Sequence, residues 1–197
     1  MAFDVNQFRA ALTGDGARPN LFQIQLVFPN YINNASLAGV KTTFMASSAQ
    51  LPDSNIGTAP LYYFGRESKH AGNRTYSPWT INIINDEDFV SRDAFMRWHD
   101  AINAPVGSIR DVRAAILDGG YAVDSKVTQF GKTGNVIKTY NFVGMWPANV
   151  SPIEMNWQAN DQIEEFSVTF DYQYWTEADS ALGTAAAAAA TAAGAAV

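Results

Sequence analysis

Residues 144–175, GMWPANVSPIEMNWQANDQIEEFSVTFDYQYW, decide the fold class. In their last part Phe166, Val168, Phe170, Tyr172 and Tyr174 fall at every second position, and Glu165, Ser167, Thr169, Asp171 and Gln173 fill the places between. Side chains on a strand point alternately to its two faces, so one face is apolar and the other polar and acidic. A single half-buried face is the mark of an antiparallel sheet packed on a core. Ile153, Met155 and Trp157 form a second alternating run, and the polar cluster at 158–161 reads as a hairpin connection between the two. Trp146-Pro147 is a corner, because a residue before proline is pushed out of the helical region.

Working outward, the 197 residues can bury one substantial core, with 47% hydrophobic and 13% aromatic residues. Charged residues are only 16%, below the usual quarter, which fits a surface covered by other protein or one rich in neutral polar groups. The net charge of −6 without a basic tract argues against a grip on nucleic acid. Without cysteine there is no disulfide framework, thiolate nucleophile or cysteine metal site. The first eleven residues carry Asp4 and Arg9 and lack the apolar core of a signal peptide, and the Ala-rich run near the C-terminus is too weakly apolar for a membrane span.

Along the chain, Val5, Phe8 and Leu12 have helical spacing. A strand is expected at 21–28, with Phe22, Ile24, Leu26 and Phe28 on one face. Residues 29–39 read as a polar loop, 42–49 as a strand, 53–60 as loop, 61–70 as a strand and 71–75 as a turn. Trp79, Ile81 and Ile83 alternate with Thr80 and Asn82. Asn85-Asp86-Glu87-Asp88 is a helix-start signal, a capping residue followed by carboxylates where the helix dipole favours negative charge. The helix should run over 86–102 on an apolar stripe of Phe95, Trp98 and Ile102, which anchors it to the sheets, with Arg92, Asp93, Arg97 and Asp100 facing out. Residues 112–117 suit a short helix or a loop. Residues 121–130 and 136–145 pair around a turn at 131–135. The expected architecture is mainly β: two antiparallel sheets packed as a sandwich or small barrel with one flanking α-helix, over residues 1–175. Residues 176–197 are a low-complexity tail with six consecutive Ala.

No catalytic constellation stands out. Gly131-Lys132-Thr133 has the end of a phosphate loop but Lys126 where the first glycine belongs, and a strand rather than a helix should follow, so it reads as a hairpin turn. His70 and His99 are the only histidines and set no metal spacing. Glu164 and Glu165 are neighbours on a strand and point to opposite faces, so they cannot act as a facing acid–base pair. The chain is expected to be neither an enzyme nor a cofactor protein.

The ordered series Gly144, Trp146-Pro147, Asn149-Val150, Trp157, Ile163, Phe166, Val168-Thr169 and Tyr174-Trp175 resembles the C-terminal half of the tail tube proteins of contractile-tailed (myovirus, T4-like) bacteriophages. Two further blocks carry the likeness: GDGARPNLFQIQL at 14–26, with Arg18, Pro19 and Asn20, and residues 71–102, through the Trp79 strand and the Phe95 and Trp98 pair. It spans roughly residues 3–175, outside the loop after Asn30 and the tail. The resemblance implies a structural virion protein. Six copies would form a ring, each lending strands to one inner barrel. Rings would stack into a hollow tube that conducts double-stranded DNA into the host without binding it specifically. The implied partners are further copies of itself, the contractile sheath, the baseplate and the tail terminator, with no membrane; the place is the virion tail, after assembly in the host cytoplasm. Glu165, Ser167, Thr169, Asp171 and Gln173, a face without a basic residue, are then the lumen candidates. Two other classes fit the residues: the tube of a phage-tail-like bacteriocin or other contractile injection or secretion system, and a carbohydrate-binding sandwich using Trp79, Trp98, Trp146, Trp157 and Trp175 as stacking platforms.

Overall fold

The computed structural model describes residues 5–12, 16–116 and 120–178. In chain order the elements are α1 (Val5–Ala11), β1 (Phe22–Gln25), α2 (Ala35–Met45), β2 (Ala46–Ala49), β3 (Asn55–Tyr63), β4 (Arg66–Thr75), β5 (Trp79–Ile84), α3 (Val90–Ile102), α4 (Val112–Ile116), β6 (Val123–Phe130), β7 (Val136–Val150), β8 (Glu165–Asp171) and β9 (Tyr174–Ala178). All strand pairs are antiparallel.

β7 is long enough to belong to two sheets. Its first part pairs β6 on one side and β9 on the other, giving a first sheet in the order β1-β6-β7-β9. Its last part, from Trp146, pairs β8 and completes a second sheet in the order β2-β5-β8-β7. The passage between sheets is at Gly144, whose φ of +62° suits a residue without Cβ. Its N–H donates to Asp124 Oδ1 at 2.9 Å. Opposite it the last strand kinks at Tyr172-Gln173, yet its register along β7 is unchanged from Asp171 to Tyr174. The alternating run expected at 163–175 is therefore two strands, and it continues to Ala178, three residues beyond the expected boundary of the folded part.

Inside lie Ile24, Leu26, Phe28, Trp79, Ile81, Ile83, Phe142, Phe166, Val168 and Phe170. Every second residue of β5 and β8 is buried, as the alternation requires. Tyr172 and Tyr174 depart from it: Tyr172 is half-buried at the kink, and Tyr174 lies exposed on the first sheet.

The expected strand at 153–157 is absent. Residues 151–164 form a loop, and the strand that pairs β8 is the end of β7. Met155, Trp157 and Ile163 are exposed, Trp157 at 99%. Their alternation was real in sequence, but no sheet covers it.

Two other segments differ from the sequence reading. Residues 35–45, read as loop and strand, are α2. It crosses β1 closely because Gly39 leaves room: a Cβ there would stand 3.0 Å from the Leu26 carbonyl oxygen. Ala38 and Thr42 are its buried residues. Residues 55–60 of the segment 53–60 read as loop, and 71–75 read as turn, belong to the β3–β4 hairpin, whose reversal is at Phe64-Gly65. Both central residues have positive φ, +47° and +77°, the pattern of a two-residue hairpin turn.

α3 carries Phe95 and Trp98 into the core at 0% exposure, with Ile102 partly buried beside them. The Phe28 ring lies 4.9 Å from Phe95 and 5.6 Å from Trp98, and Trp98 Nε1–H donates to the Tyr121 carbonyl at 2.8 Å. The helix begins at Val90, without a side-chain cap at Phe89. Asn85 is drawn away to Glu164, to which it donates both backbone and side-chain N–H groups. Asp86 and Asp88 instead hold Lys41 of α2. Arg92, expected to face out, is half-buried; it donates to the Ser151 carbonyl and lies over the Phe166 ring.

Candidate functional site

The second sheet has two unlike faces. Its inner face is the core, backed by α3 through Phe95, whose ring meets Phe166 and Phe170 edge-on. Its outer face is built from the residues between: Thr80 and Asn82 on β5, and Glu165, Ser167, Thr169 and Asp171 on β8. Thr80 stands opposite Thr169 with hydroxyls 3.0 Å apart, and Asn82 donates to the Ser48 hydroxyl at 2.8 Å. Ser167 N–H donates to the Ser151 hydroxyl at 2.8 Å. These side chains are short and several are tied to one another or to the sheet's backbone, so the face is smooth as well as polar. Glu165 and Asp171 stand at its two ends, opposite Ile84 and Trp146, and neither β5 nor β8 carries a basic residue.

Of the five lumen candidates, four share this face. Gln173 does not: it sits at the kink, its N–H donating to the Val143 carbonyl at 3.0 Å and its side chain packed over Gly144. Glu165 and Gln173 are exposed, and Ser167, Thr169 and Asp171 half-buried.

The sheet is open at both ends. Among the described residues, β2 has no strand partner beyond β5, and the last part of β7 has none beyond β8. Three antiparallel steps separate these edges, so they run in opposite senses. Pro147, which lacks an N–H, lies on such an edge strand, where proline is tolerated.

The corner below the sheet is tied by aromatic groups. Tyr172 donates to the Ser77 carbonyl at 3.0 Å, and Trp175 Nε1–H to the Asp53 carbonyl at 2.7 Å. Burial, with help from Asp53 and Tyr76, pushes the Tyr172 phenol up to about 12, so it remains a donor. Burial lowers the His99 pKa below the usual imidazole value, against a hydrogen bond to the Pro147 backbone and the nearby Asp100. No group of three or more His, Asp or Glu among the described residues could hold a metal ion.

The five tryptophans do not form a stacking surface. Trp79 and Trp98 are buried, Trp146 and Trp175 half-buried, and Trp157 stands exposed on its loop. The motif residues Arg18, Pro19 and Asn20 lie exposed before β1, where Arg18 accepts the Leu21 N–H on its carbonyl.

The family described as phage tail tube protein matches residues 17–178. The tail tube protein gp19 of Enterobacteria phages T4 and T6 is 30% identical over 168 residues, covering 85% of this chain and 95% of that protein. The chain belongs to the phage tail tube protein family. Solved assemblies share its fold. A chain of the anti-feeding prophage baseplate aligns with a TM-score of 0.58 at 9% identity, over 84% of this chain and 97% of that one. A chain of the sheath–tube complex of the extracellular contractile injection system PVC aligns at 0.55 and 13% identity, over 90% and 99%.

Proposed function

We propose that this chain is the subunit of the hollow inner tail tube of a contractile-tailed phage. Copies close into hexameric rings, the rings stack within a sheath between baseplate and tail terminator, and the tube conducts DNA into the host when the sheath contracts. The chain assembles in the host cytoplasm and ends in the virion tail. One observation carries the reading: a four-stranded antiparallel sheet, open at both edges, with a helix behind it and a smooth polar face in front. Open edges invite pairing with another chain. Because an even number of strands separates one edge from the other, β7 of one copy can meet β2 of the next in antiparallel sense around a closed ring, and closure removes every edge. A head-to-tail contact of this type is heterologous and forms a ring when the rotation closes.

The polar face then lines the bore. Each Lys or Arg that neutralises a phosphate adds affinity through counterion release, so a conduit works best without them on its wall. Glu165 and Asp171 are the lumen carboxylates, and Ser167 and Thr169 the neutral wall between them. The chain's charge of −6, repeated in every copy, opposes adhesion of DNA.

Negative-stain microscopy of the purified protein tests the assembly: six-fold rings or tubes are expected, and monomers alone at high concentration, with baseplate nucleators present, overturn it. Glu165→Lys with Asp171→Lys tests the bore. DNA ejection from normally assembled particles should slow and become more salt-dependent; ejection at the wild-type rate removes the lumen assignment while leaving the tube.

A further inference from the structure

We propose that α1 of one copy docks by its apolar side, with Phe8 at its centre, in the groove between α2 and the end of β1 of a second copy, its neighbour across the open β2 edge. The proposal rests on the tube reading and adds a side-chain latch to the strand contact within a ring.

Both helices carry an apolar stripe that their own chain leaves uncovered. On α1 it is Val5, Phe8 and Leu12, and Leu12 continues the helix by donating its N–H to the Phe8 carbonyl at 3.1 Å. On α2 it is Leu37, Val40 and Phe44. The spacing is the same in both, three residues and then four, which sets three side chains on one side of two turns. All six are exposed, from Leu12 at 42% to Phe44 at 76%. α2 already turns its other side, Ala38 and Thr42, to the core. A helix of seven residues does not hold by itself in water, and packing of its apolar side is what stabilises it. For α1 that packing has to come from outside its own copy.

The surface of α2 has the shape for it. Leu26, Val27 and Phe28 on one side and Gly39 and Val40 on the other line a groove of about 410 Å³, room for an aromatic ring. Val27 on its wall is itself half exposed, at 52%. Lys41, the one charged residue of α2 and β2, is held by Asp86 and Asp88, so the walls are neutral. An amphipathic helix laid in an apolar groove is anchored by residues at this spacing.

The position of the groove selects a second copy. α2 passes from Met45 straight into Ala46 of β2, and β2 has no strand partner beyond β5 among the described residues. The groove therefore adjoins the edge at which a neighbour would pair. Nine residues join Leu12 to Phe22, at most about 35 Å of extended chain, so α1 can cross to that neighbour. Six side chains bury far less than the roughly 800 Å² per partner of a stable contact, so the latch adds to strand pairing and does not replace it.

The stripes can be broken and rebuilt with charge. Phe8→Asp and Val40→Asp, each at an exposed position, should leave unfolding of the monomer unchanged and lower the yield of rings and tubes at least tenfold. Phe8→Lys combined with Val40→Asp in one chain should restore the yield. Because the chain has no cysteine, Phe8→Cys subunits mixed with Val40→Cys subunits should form disulfide-linked dimers under oxidation, and neither variant alone should. Wild-type yields from both Asp variants, or no cross-link from the mixed subunits, overturn the latch and leave the tube reading standing. So does a Phe8→Cys, Val40→Cys double variant that closes its disulfide within one chain, which would place α1 on its own α2. A wild-type chain that forms neither rings nor tubes overturns the tube reading itself.

Discussion

The α3 face of the sandwich and the β3–β4 hairpin are both rich in aromatic residues, and they spend them in opposite ways. Phe95 and Trp98 are wholly buried against Phe28, Phe166 and Phe170, whereas Tyr62, Tyr63 and Phe64 stand in solvent on two strands that bury nothing within the chain. The first region gives the monomer its stability. The second buries none of its residues in the monomer, so it adds little to the monomer's core. The 151–164 loop, with Trp157 fully out, belongs with the second.

The comparison breaks most sharply at Trp98. Trp98→Ala removes a buried ring and orphans the Tyr121 carbonyl, and should cost about 3–5 kcal/mol, read by denaturant unfolding of the unassembled protein. An unchanged midpoint would place Trp98 on the surface. Gly144→Ala tests the corner that lets β7 serve both sheets. A side chain at φ +62° meets the left-handed penalty, and its Cβ would stand 3.0 Å from Gln173 Cγ, so a loss of about 1–2 kcal/mol is expected.

A smaller effect is expected where Lys41 of α2 meets Asp86 and Asp88. The Lys41 hydrogen bond, then the Val90 N–H, lowers the Asp88 pKa, and the Asp86 and Asp88 hydrogen bonds raise that of Lys41. A carboxylate with a depressed folded pKa contributes stability that is present above its unfolded value of about 4 and lost as pH falls through the folded value. The raised lysine contributes below its unfolded value of about 10.4 and loses this as pH rises through its folded value. The Tm advantage of wild type over Lys41→Met should therefore be level through neutral pH and fade at both extremes; an advantage that grows on acidification would contradict the pairing. Smallest of all, Tyr63→Ala and Trp157→Ala should move monomer stability by no more than about 0.5 kcal/mol, as exposed positions do. Assembly, followed by light scattering, should weaken in both.

How much was legible in the sequence follows the same division. The alternation of Phe166, Val168 and Phe170 against Ser167, Thr169 and Asp171 is imposed by a buried face, so β8 and β5 could be read directly, as could the Phe95–Trp98 stripe of α3. The β3–β4 hairpin reads in sequence as loop, strand and turn because neither of its faces is buried, and without burial no period-two pattern is selected. The signal available was local, a two-residue turn at Phe64-Gly65. α2 was missed because its buried side consists of Ala38, Thr42 and the close approach at Gly39, which leave no apolar stripe. Ile153, Met155 and Trp157 misled in the other direction, since alternation cannot say whether a sheet exists to cover it.

By itself, then, the sequence determined the apolar side of β5, β8 and α3 and the basic-free character of the β8 face, which are properties of residue order along one strand or helix. It also determined the fold class and the family, which follow from the order of such motifs along the whole chain. Tertiary structure decided that β7 divides between two sheets, that Gln173 leaves the face of its neighbours, and that Asn85 binds Glu164 rather than capping α3. These depend on distances between segments remote in the chain, which no local period encodes.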